Sequence, residues 1–124
     1  MQRRAHIGHL APDGNPMISP RENTVQEVAA RLGEATPPRL VDVREQSEYE
    51  IVHLEGGQLF TEALIGEMLA GWPLDTPIVC YCHHGVRSMQ AALFLASKGF
   101  TDVASMAGGI EAWAVRIDPA LPRY

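Results

Sequence analysis

Apolar and polar positions follow one another along this chain in short blocks, and each block has the period of either a helix or a strand. The first helical face is formed by Val25, Val28, Ala29 and Leu32. Their i, i+3, i+4, i+7 spacing predicts a helix with one side on a core. Thr24 and Glu27 provide a capping box at its start, and Gly33 can end it. Upstream, Ser19 and Glu22 offer a second, weaker capping box.

Runs of β-branched residues mark the buried strands of the chain. These runs cover residues 40–43, 78–82 and 103–105, with 59–60 as a weaker candidate. Helical or turn-like segments lie between or beside them, at residues 44–50, 61–71, 89–99 and 110–113. Strands that alternate with helices are typical of an α/β fold. Such a fold has a mainly parallel sheet with helices on both faces, and it binds ligands at the carboxyl ends of its strands.

The beginning of the chain breaks this pattern. Residues 1–16 lack sustained periodicity and contain two glycines and two prolines, which predicts an irregular arm. Met17 and Ile18 are a candidate for a short edge strand. With 124 residues, the chain has room for one compact domain, which we place at residues 17–124.

The composition narrows the classes of function. Hydrophobic residues make up 46% of the chain and charged residues 20%, as in a soluble globular protein, and no apolar run is long enough to span a bilayer. A formal net charge of −5 disfavours a general binder of nucleic acid or of anionic membranes. A locally positive pocket can still bind a small anion.

The chain has two cysteines, Cys80 and Cys82, separated by one residue. Side chains at i and i+2 of a strand lie parallel, and a bridge between them would close a small, strained ring, so a structural disulfide is disfavoured. Free thiols fit a reducing compartment, and no apolar segment typical of a secretory signal follows Met1. The expected location is therefore the cytoplasm.

The segment from residue 78 to residue 88 carries the strongest chemical signal. Cys82 ends a predicted strand, and it is followed by His83, His84, Gly85, Val86, Arg87 and Ser88. The backbone N–H groups of such a loop point inward and, with the positive end of the next helix dipole, favour a bound anion and a cysteine thiolate. We expect Cys82 to be a nucleophile at the floor of this loop, with Arg87 closing the ring as a cation.

Four stretches of the chain form a set in a fixed order. They are residues 40–45 with Glu48 and Tyr49, residues 52–56, residues 82–88 and residues 108–113. Together they resemble the motifs of single-domain rhodaneses, sulfurtransferases of the thiosulfate-using type. The resemblance covers about residues 18–113 and implies a rhodanese-like α/β fold.

The resemblance also implies the chemistry. The thiolate of Cys82 would take the outer sulfur of thiosulfate or a similar donor as a persulfide, and cyanide or a thiol, including a protein thiol, would accept it. The amides of residues 83–88 would hold the anion with help from Arg87, and Asp42 and Arg44 would support the site as an ion pair. No metal or organic cofactor is required, and neither nucleic acid nor a membrane is an expected partner.

Two other functions stay open. A persulfide-carrying or protein-binding module would accept sulfur from a protein donor with little turnover of thiosulfate. A cysteine-dependent phosphatase or arsenate reductase is less favoured. Phosphatases that resemble this fold have five residues between cysteine and arginine, whereas four separate Cys82 from Arg87.

Residues near the nucleophile have alternative roles. Ser88 is a candidate N-cap of the following helix or a hydroxyl donor to the persulfide. His83 and His84 are adjacent and are expected to point apart, at the rim of the pocket, rather than hold a metal. Arg87 either binds the donor or shapes the loop. Cys80 is expected to pack in the strand interior, with a resolving-thiol role as the alternative.

Overall fold

The computed structural model describes residues 19–124. The irregular arm predicted for residues 1–16 and the edge strand predicted at Met17 and Ile18 lie outside the described residues. The strands are β1 (Arg21–Asn23), β2 (Arg39–Asp42), β3 (Gln58–Leu59), β4 (Ile78–Tyr81) and β5 (Val103–Met106). The helices are α1 (Val25–Leu32), α2 (Gln46–Ile51), α3 (Glu62–Gly71), α4 (Val86–Ser97) and α5 (Gly109–Arg116).

These strands form one sheet in the order β1-β5-β4-β2-β3, and every pairing between them is parallel. β4 lies at the centre, and each of its residues is buried. A strand with neighbours on both sides and helices on both faces is apolar throughout, which explains the sequence Ile-Val-Cys-Tyr at this place. The register sets Asp42 beside Tyr81, at the carboxyl edge of the sheet where Cys82 follows.

Side chains of successive strand residues point to opposite faces, so the sheet divides the core into two clusters. On one face, Val79 and Tyr81 pack with residues of α1 and α5. On the other face, Ile78 and Cys80 pack with residues of α3 and α4. The prediction of an α/β fold, with a parallel sheet between two layers of helices, is therefore confirmed.

Two elements differ from their predictions in ways that matter. β1 forms at Arg21–Asn23, a polar segment that pairs with β5, so the capping box predicted at Ser19 and Glu22 was wrong. α4 begins at Val86 rather than at residue 89. The sequence pattern missed the first turn because its residues belong to the site described below and lack an apolar period. No helix in the described part of the chain is both long and apolar enough to cross a membrane.

Candidate active site

Cys82 is the first residue after β4, and the chain needs only His83, His84 and Gly85 to reach α4. Cys82 is 1% exposed. Its Sγ atom accepts hydrogen bonds from the backbone N–H groups of Gly85, at 3.1 Å, and Ser88, at 3.4 Å. The sulfur therefore lies at the floor of a loop whose amides point towards it.

Gly85 is the turning point of this loop. It is the N-cap of α4 and has a φ of 106°, in the left-handed region that glycine adopts at low cost. A Cβ atom at this position would lie 3.2 Å from the backbone nitrogen of Gly108. Of the two roles considered for Ser88, the N-cap role was wrong, because Gly85 takes that position and Ser88 is buried in the first turn of the helix.

Ser88 contacts the sulfur instead. Its Oγ atom lies 3.5 Å from Cys82 Sγ and 2.7 Å from the Oγ atom of Ser105. When Ser105 donates to Ser88, the Ser88 hydroxyl can donate to a thiolate. Ser105 is a fully buried residue of β5 and was not among the predicted site residues. The available signal was a serine inside an otherwise apolar strand, since buried hydroxyls need a partner.

These contacts favour the ionised form of Cys82. Burial alone would raise the pKa of its thiol, but hydrogen bonds from the hydroxyl of Ser88 and from the amides of Ser88, Gly85 and His84 outweigh burial and lower that pKa. Cys80 behaves in the opposite way, because burial in β4 raises the pKa of its thiol to about 12. Both are free thiols, and only Cys82 has an environment that promotes reaction.

The N-terminus of α5 fixes the backbone of the loop from the other side. The N–H group of Ile110 donates to the carbonyl of Cys82 at 2.8 Å, and that of Glu111 donates to the carbonyl of His83 at 3.2 Å. This approach requires glycine at Gly109, since a Cβ atom there would overlap both carbonyl oxygens. Because the carbonyls are directed towards α5, the amides of the loop face the sulfur.

Arg87 lies in the first turn of α4, and its side chain is 42% exposed. Its two terminal nitrogens donate to the two carboxylate oxygens of Glu48, at 2.9 and 3.3 Å. Hydrogen bonds from Arg87 lower the pKa of Glu48 to about 2, and Glu48 in turn raises the pKa of Arg87. The predicted cation is therefore present at the loop, but it is neutralised by a carboxylate from α2 that was not among the predicted site residues.

Asp42 and Arg44 form a fully buried ion pair at the carboxyl end of β2. Arg44 donates from Nη2 to Asp42 Oδ2 at 2.6 Å and from Nε to Asp42 Oδ1 at 2.9 Å. It also donates to the carbonyl of Val52 at 2.6 Å and to the phenol oxygen of Tyr124 at 2.8 Å. Arg44 thus joins β2, the segment after α2 and Tyr124 into one framework beside the loop.

His83 and His84 lie together rather than apart, so that prediction was wrong. Their rings stack with 4.1 Å between centroids, and Tyr124 stacks on His83 at 4.3 Å. Burial and the neighbouring His84 lower the pKa of His83, which favours the neutral form of its ring. With Glu111 and Arg123, these rings line a shallow cleft of about 390 Å³. In the described part of the chain, no group of three or more potential metal ligands comes together.

The predicted loop residues thus divide by position. Gly85 and Ser88 contact the sulfur, Arg87 pairs with Glu48, and Val86 is 71% exposed at the rim. Cys82 is a buried cysteine with a lowered pKa at the carboxyl end of the central parallel strand, and the loop amides point towards it. In an α/β protein, such an arrangement can hold an anion and can activate a cysteine as a nucleophile.

Comparison with known proteins identifies the family. Residues 24–116 match the model of the rhodanese-like domain, and the chain belongs to this family, as predicted. It is 37% identical over 119 residues to the probable adenylyltransferase/sulfurtransferase MoeZ of Mycobacterium tuberculosis, a match that covers 94% of this chain and 30% of MoeZ. The chain therefore spans less than a third of that relative.

Two further comparisons concern proteins closer to this chain in length. The thiosulfate sulfurtransferase GlpE of Pseudomonas fluorescens is 39% identical over 74 residues, a match that covers 60% of this chain and 68% of GlpE. The crystal structure of a rhodanese-like domain protein from Staphylococcus aureus has a TM-score of 0.67 at 26% identity and covers 84% of this chain and 98% of that one. The rhodanese-like fold is thereby confirmed.

Proposed function

We propose that this chain is a sulfurtransferase that moves a sulfane sulfur from thiosulfate or a similar donor to cyanide or a thiol acceptor through a persulfide on Cys82. One observation carries the proposal: two backbone N–H groups and a hydroxyl surround Cys82 Sγ at the floor of a loop whose amides point inward. The relatives support it, because both GlpE of Pseudomonas fluorescens and MoeZ of Mycobacterium tuberculosis carry the word sulfurtransferase in their names.

In the first step, the thiolate of Cys82 attacks the outer sulfur of thiosulfate. A bond forms between Sγ and that sulfur while the sulfur–sulfur bond of thiosulfate breaks, and its electron pair leaves with sulfite. Cys82 is then a persulfide anion. The loop amides that stabilise the thiolate also stabilise the negative charge of the persulfide, in the way that oriented donors stabilise an oxyanion.

In the second step, the acceptor attacks the terminal sulfur of the persulfide. With cyanide, a carbon–sulfur bond forms, thiocyanate leaves, and the electron pair of the broken sulfur–sulfur bond returns to Sγ. With a thiolate acceptor, the product is a persulfide of the acceptor. Sulfur is transferred without net oxidation or reduction, so the cycle requires no metal or organic cofactor.

The other site residues support this reaction without forming a covalent bond to sulfur. The hydroxyl of Ser88 donates to the thiolate, and Arg87 interacts with the sulfonate end of the donor. The buried pair of Asp42 and Arg44 holds the end of β2 beside the loop. A thiol that must stay reduced between turnovers requires a reducing compartment, and we therefore place the protein in the cytoplasm.

A second candidate function is a module that carries sulfur between proteins with little turnover of thiosulfate. The pairing of Arg87 with Glu48 favours it, because the cation that would bind thiosulfate already has a partner. Such a module would load from a protein persulfide and bind thiosulfate weakly. The third candidate, a phosphatase or arsenate reductase, is disfavoured by the four residues between Cys82 and Arg87.

The proposal is tested by thiosulfate-to-cyanide sulfur transfer, together with the intact mass after thiosulfate alone. The wild-type protein should form thiocyanate and gain the mass of one sulfur atom. Cys82→Ser should remove the mass gain and lower turnover by about a thousandfold or more, because the nucleophile is lost. Cys80→Ser is the matched control and should keep most of the activity, since the thiol of Cys80 is fully buried.

The other outcomes separate the candidates. A mass gain that persists in Cys82→Ser would exclude a persulfide on Cys82. So would the absence of a mass gain when the folded wild-type protein is treated with sulfane donors. A gain of one sulfur mass from a protein persulfide, but not from thiosulfate, would favour the carrier module. Hydrolysis of an aryl phosphate that depends on Cys82 would favour the phosphatase.

A further inference from the structure

Three arginines of the described residues lie around the loop of Cys82, and each is paired with a carboxylate. The pairs are Arg44 with Asp42, Arg87 with Glu48, and Arg123 with Glu111. Each pair has a net charge of zero. The attraction of the loop for an anion therefore comes mainly from its amides and the dipole of α4.

The pair of Arg87 and Glu48 lies where a donor would bind. Arg87 directly precedes Ser88, whose N–H group donates to Cys82 Sγ at 3.4 Å, so the guanidinium belongs to the same helical turn that surrounds the sulfur. The pKa of Arg87 is raised mainly by Glu48 and to a smaller extent by the negative charge of Cys82. Each terminal nitrogen of Arg87 donates one hydrogen bond to the carboxylate of Glu48. A sulfonate that binds Arg87 must share the guanidinium with Glu48 or displace it.

Glu48 is held in this position by more than Arg87. Its Oε1 atom accepts a hydrogen bond from the N–H group of Glu45 at 2.9 Å, and its Oε2 atom accepts one from the phenol of Tyr124 at 3.0 Å. Tyr124 in turn accepts from the buried Arg44. The carboxylate is thus fixed in front of Arg87 by two further partners, and displacing it would break both contacts.

We propose that Glu48 determines donor specificity, an inference that rests on the proposed function. By neutralising Arg87, Glu48 weakens the binding of dianionic donors such as thiosulfate and favours sulfane donors with a single negative charge, such as persulfides and thiosulfonates. The physical reason is that one carboxylate repels a dianion twice as strongly as it repels a monoanion. Tyr124 is the positioning residue that keeps Glu48 in place.

The test compares thiosulfate with methanethiosulfonate, which donates the same kind of sulfur, releases methanesulfinate and carries one negative charge. Glu48→Gln removes the carboxylate charge, and the new amide oxygen can still accept from the N–H group of Glu45. The KM for thiosulfate should fall roughly tenfold and that for methanethiosulfonate roughly threefold, because the electrostatic free energy doubles with the charge of the donor. The kcat should change little, since Glu48 does not contact the sulfur.

Glu50→Gln is the matched control. Glu50 lies on the same helix and is exposed, and it accepts a hydrogen bond from Gln46. Its substitution removes the same formal charge from the protein and should leave both KM values within about twofold, since an exposed charge is screened by salt. Tyr124→Phe keeps the ring on His83 but loses the phenol, and should shift both KM values in the same direction by a smaller factor. It also provides the test if Glu48→Gln does not fold.

Calorimetry distinguishes a failure of this inference from a failure of the proposed function. In a Cys82→Ser background, thiosulfate should bind roughly tenfold more tightly once Glu48→Gln is added. Unchanged affinity and unchanged KM values, or a loss of kcat alone, would overturn the role of Glu48 and leave sulfur transfer intact. If Glu48→Gln tightens thiosulfate binding but no variant that retains Cys82 turns over a sulfur donor, the role of Glu48 in anion selection is supported and sulfur transfer is rejected.

Discussion

At the scale of single residues, the two cysteines show how position determines reactivity. Cys80 lies inside β4, where neighbouring strands use the backbone N–H groups and burial raises the pKa of its thiol to about 12. Cys82 lies one residue beyond the strand, where burial is outweighed by donors from Ser88 and Gly85 and the pKa is lowered. The backbone amides that a strand uses for pairing are available to a sulfur as soon as the strand ends.

The contribution of the Ser88 hydroxyl can be measured by alkylation. Ser88→Ala removes this donor and leaves the amides, so the pKa of Cys82 should rise. The pH dependence of its alkylation rate by iodoacetamide should therefore move to higher pH, as expected for the loss of one hydrogen bond of about 1 kcal/mol. Ser97→Ala removes an exposed hydroxyl from the same helix and should leave this pH dependence unchanged. An unchanged pH dependence in Ser88→Ala would mean that the amides alone stabilise the thiolate.

At the scale of elements, α5 determines the shape of the loop that precedes α4. Its first N–H groups bind the carbonyls of Cys82 and His83, and the absence of a side chain at Gly109 allows the two backbones to touch. Glycine is therefore required at Gly109 for packing as well as for its φ of 62°. The loop at one strand end thus depends on a helix that follows a different strand.

Gly109→Ala should test this dependence. We expect the free energy of unfolding to fall by about 3 kcal/mol, because a left-handed conformation and an overlap with backbone atoms both oppose the methyl group. Gly56→Ala is the control, since Gly56 has a φ of 81° but open space around it, and it should lose only about 1 kcal/mol. If urea unfolding gives the same loss of free energy for Gly109→Ala and Gly56→Ala, the contact between α5 and the loop adjusts to the methyl group without a cost in stability.

Elements with a local signal were predicted well, and those held by tertiary contacts were not. α1 starts at the capping box of Thr24 and Glu27, and both reciprocal hydrogen bonds are present. β1 has no apolar signature, because Arg21 and Glu22 are exposed and the strand exists through its pairing with β5. The first turn of α4 lacks apolar periodicity for a different reason: its residues contact Cys82 and Glu48 rather than the core.

The same division applies to the site. Cys82 and its loop are contiguous, so the sequence placed them correctly at the end of the central strand. The partners of this loop come from distant positions: Glu48 pairs with Arg87 39 residues away, and Ser105 bonds to Ser88 17 residues away. Glu48 lies in a polar segment that gives no local signal of its contact with Arg87, so this pairing could not be predicted. Ser105 gave a single signal, as a serine inside an otherwise apolar strand, but that signal does not say which residue is its partner.

At the scale of the whole molecule, one buried cation joins segments that are far apart in the chain. Arg44 donates to Asp42 at the end of β2, to the carbonyl of Val52 and to the phenol of Tyr124, 80 residues away. Because the guanidinium is fully buried, each of these acceptors compensates for lost hydration. The site and the stability of the protein therefore depend on the same ion pair.

Asp42→Asn should consequently be costly. It leaves the guanidinium of Arg44 buried without its counter-charge, and we expect the free energy of unfolding to fall by about 3–5 kcal/mol. Asp102→Asn is the control, because Asp102 also forms ion pairs, with Arg21 and Arg31, but is partly exposed. This variant should lose about 1 kcal/mol or less of the free energy of unfolding. Comparable losses for the two variants in urea unfolding would contradict a structural role for the buried pair.

Aromatic rings shift the magnetic resonance of protons that lie above or below them. Beside the loop, the ring of His83 faces those of His84 and Tyr124, at 4.1 and 4.3 Å between centroids. Its ring protons are shielded by both neighbours, so their signals lie upfield of those of a free histidine. Because Tyr124 also donates a hydrogen bond to Glu48, the proton NMR spectrum of the unlabelled protein reports whether Tyr124 stays between His83 and Glu48.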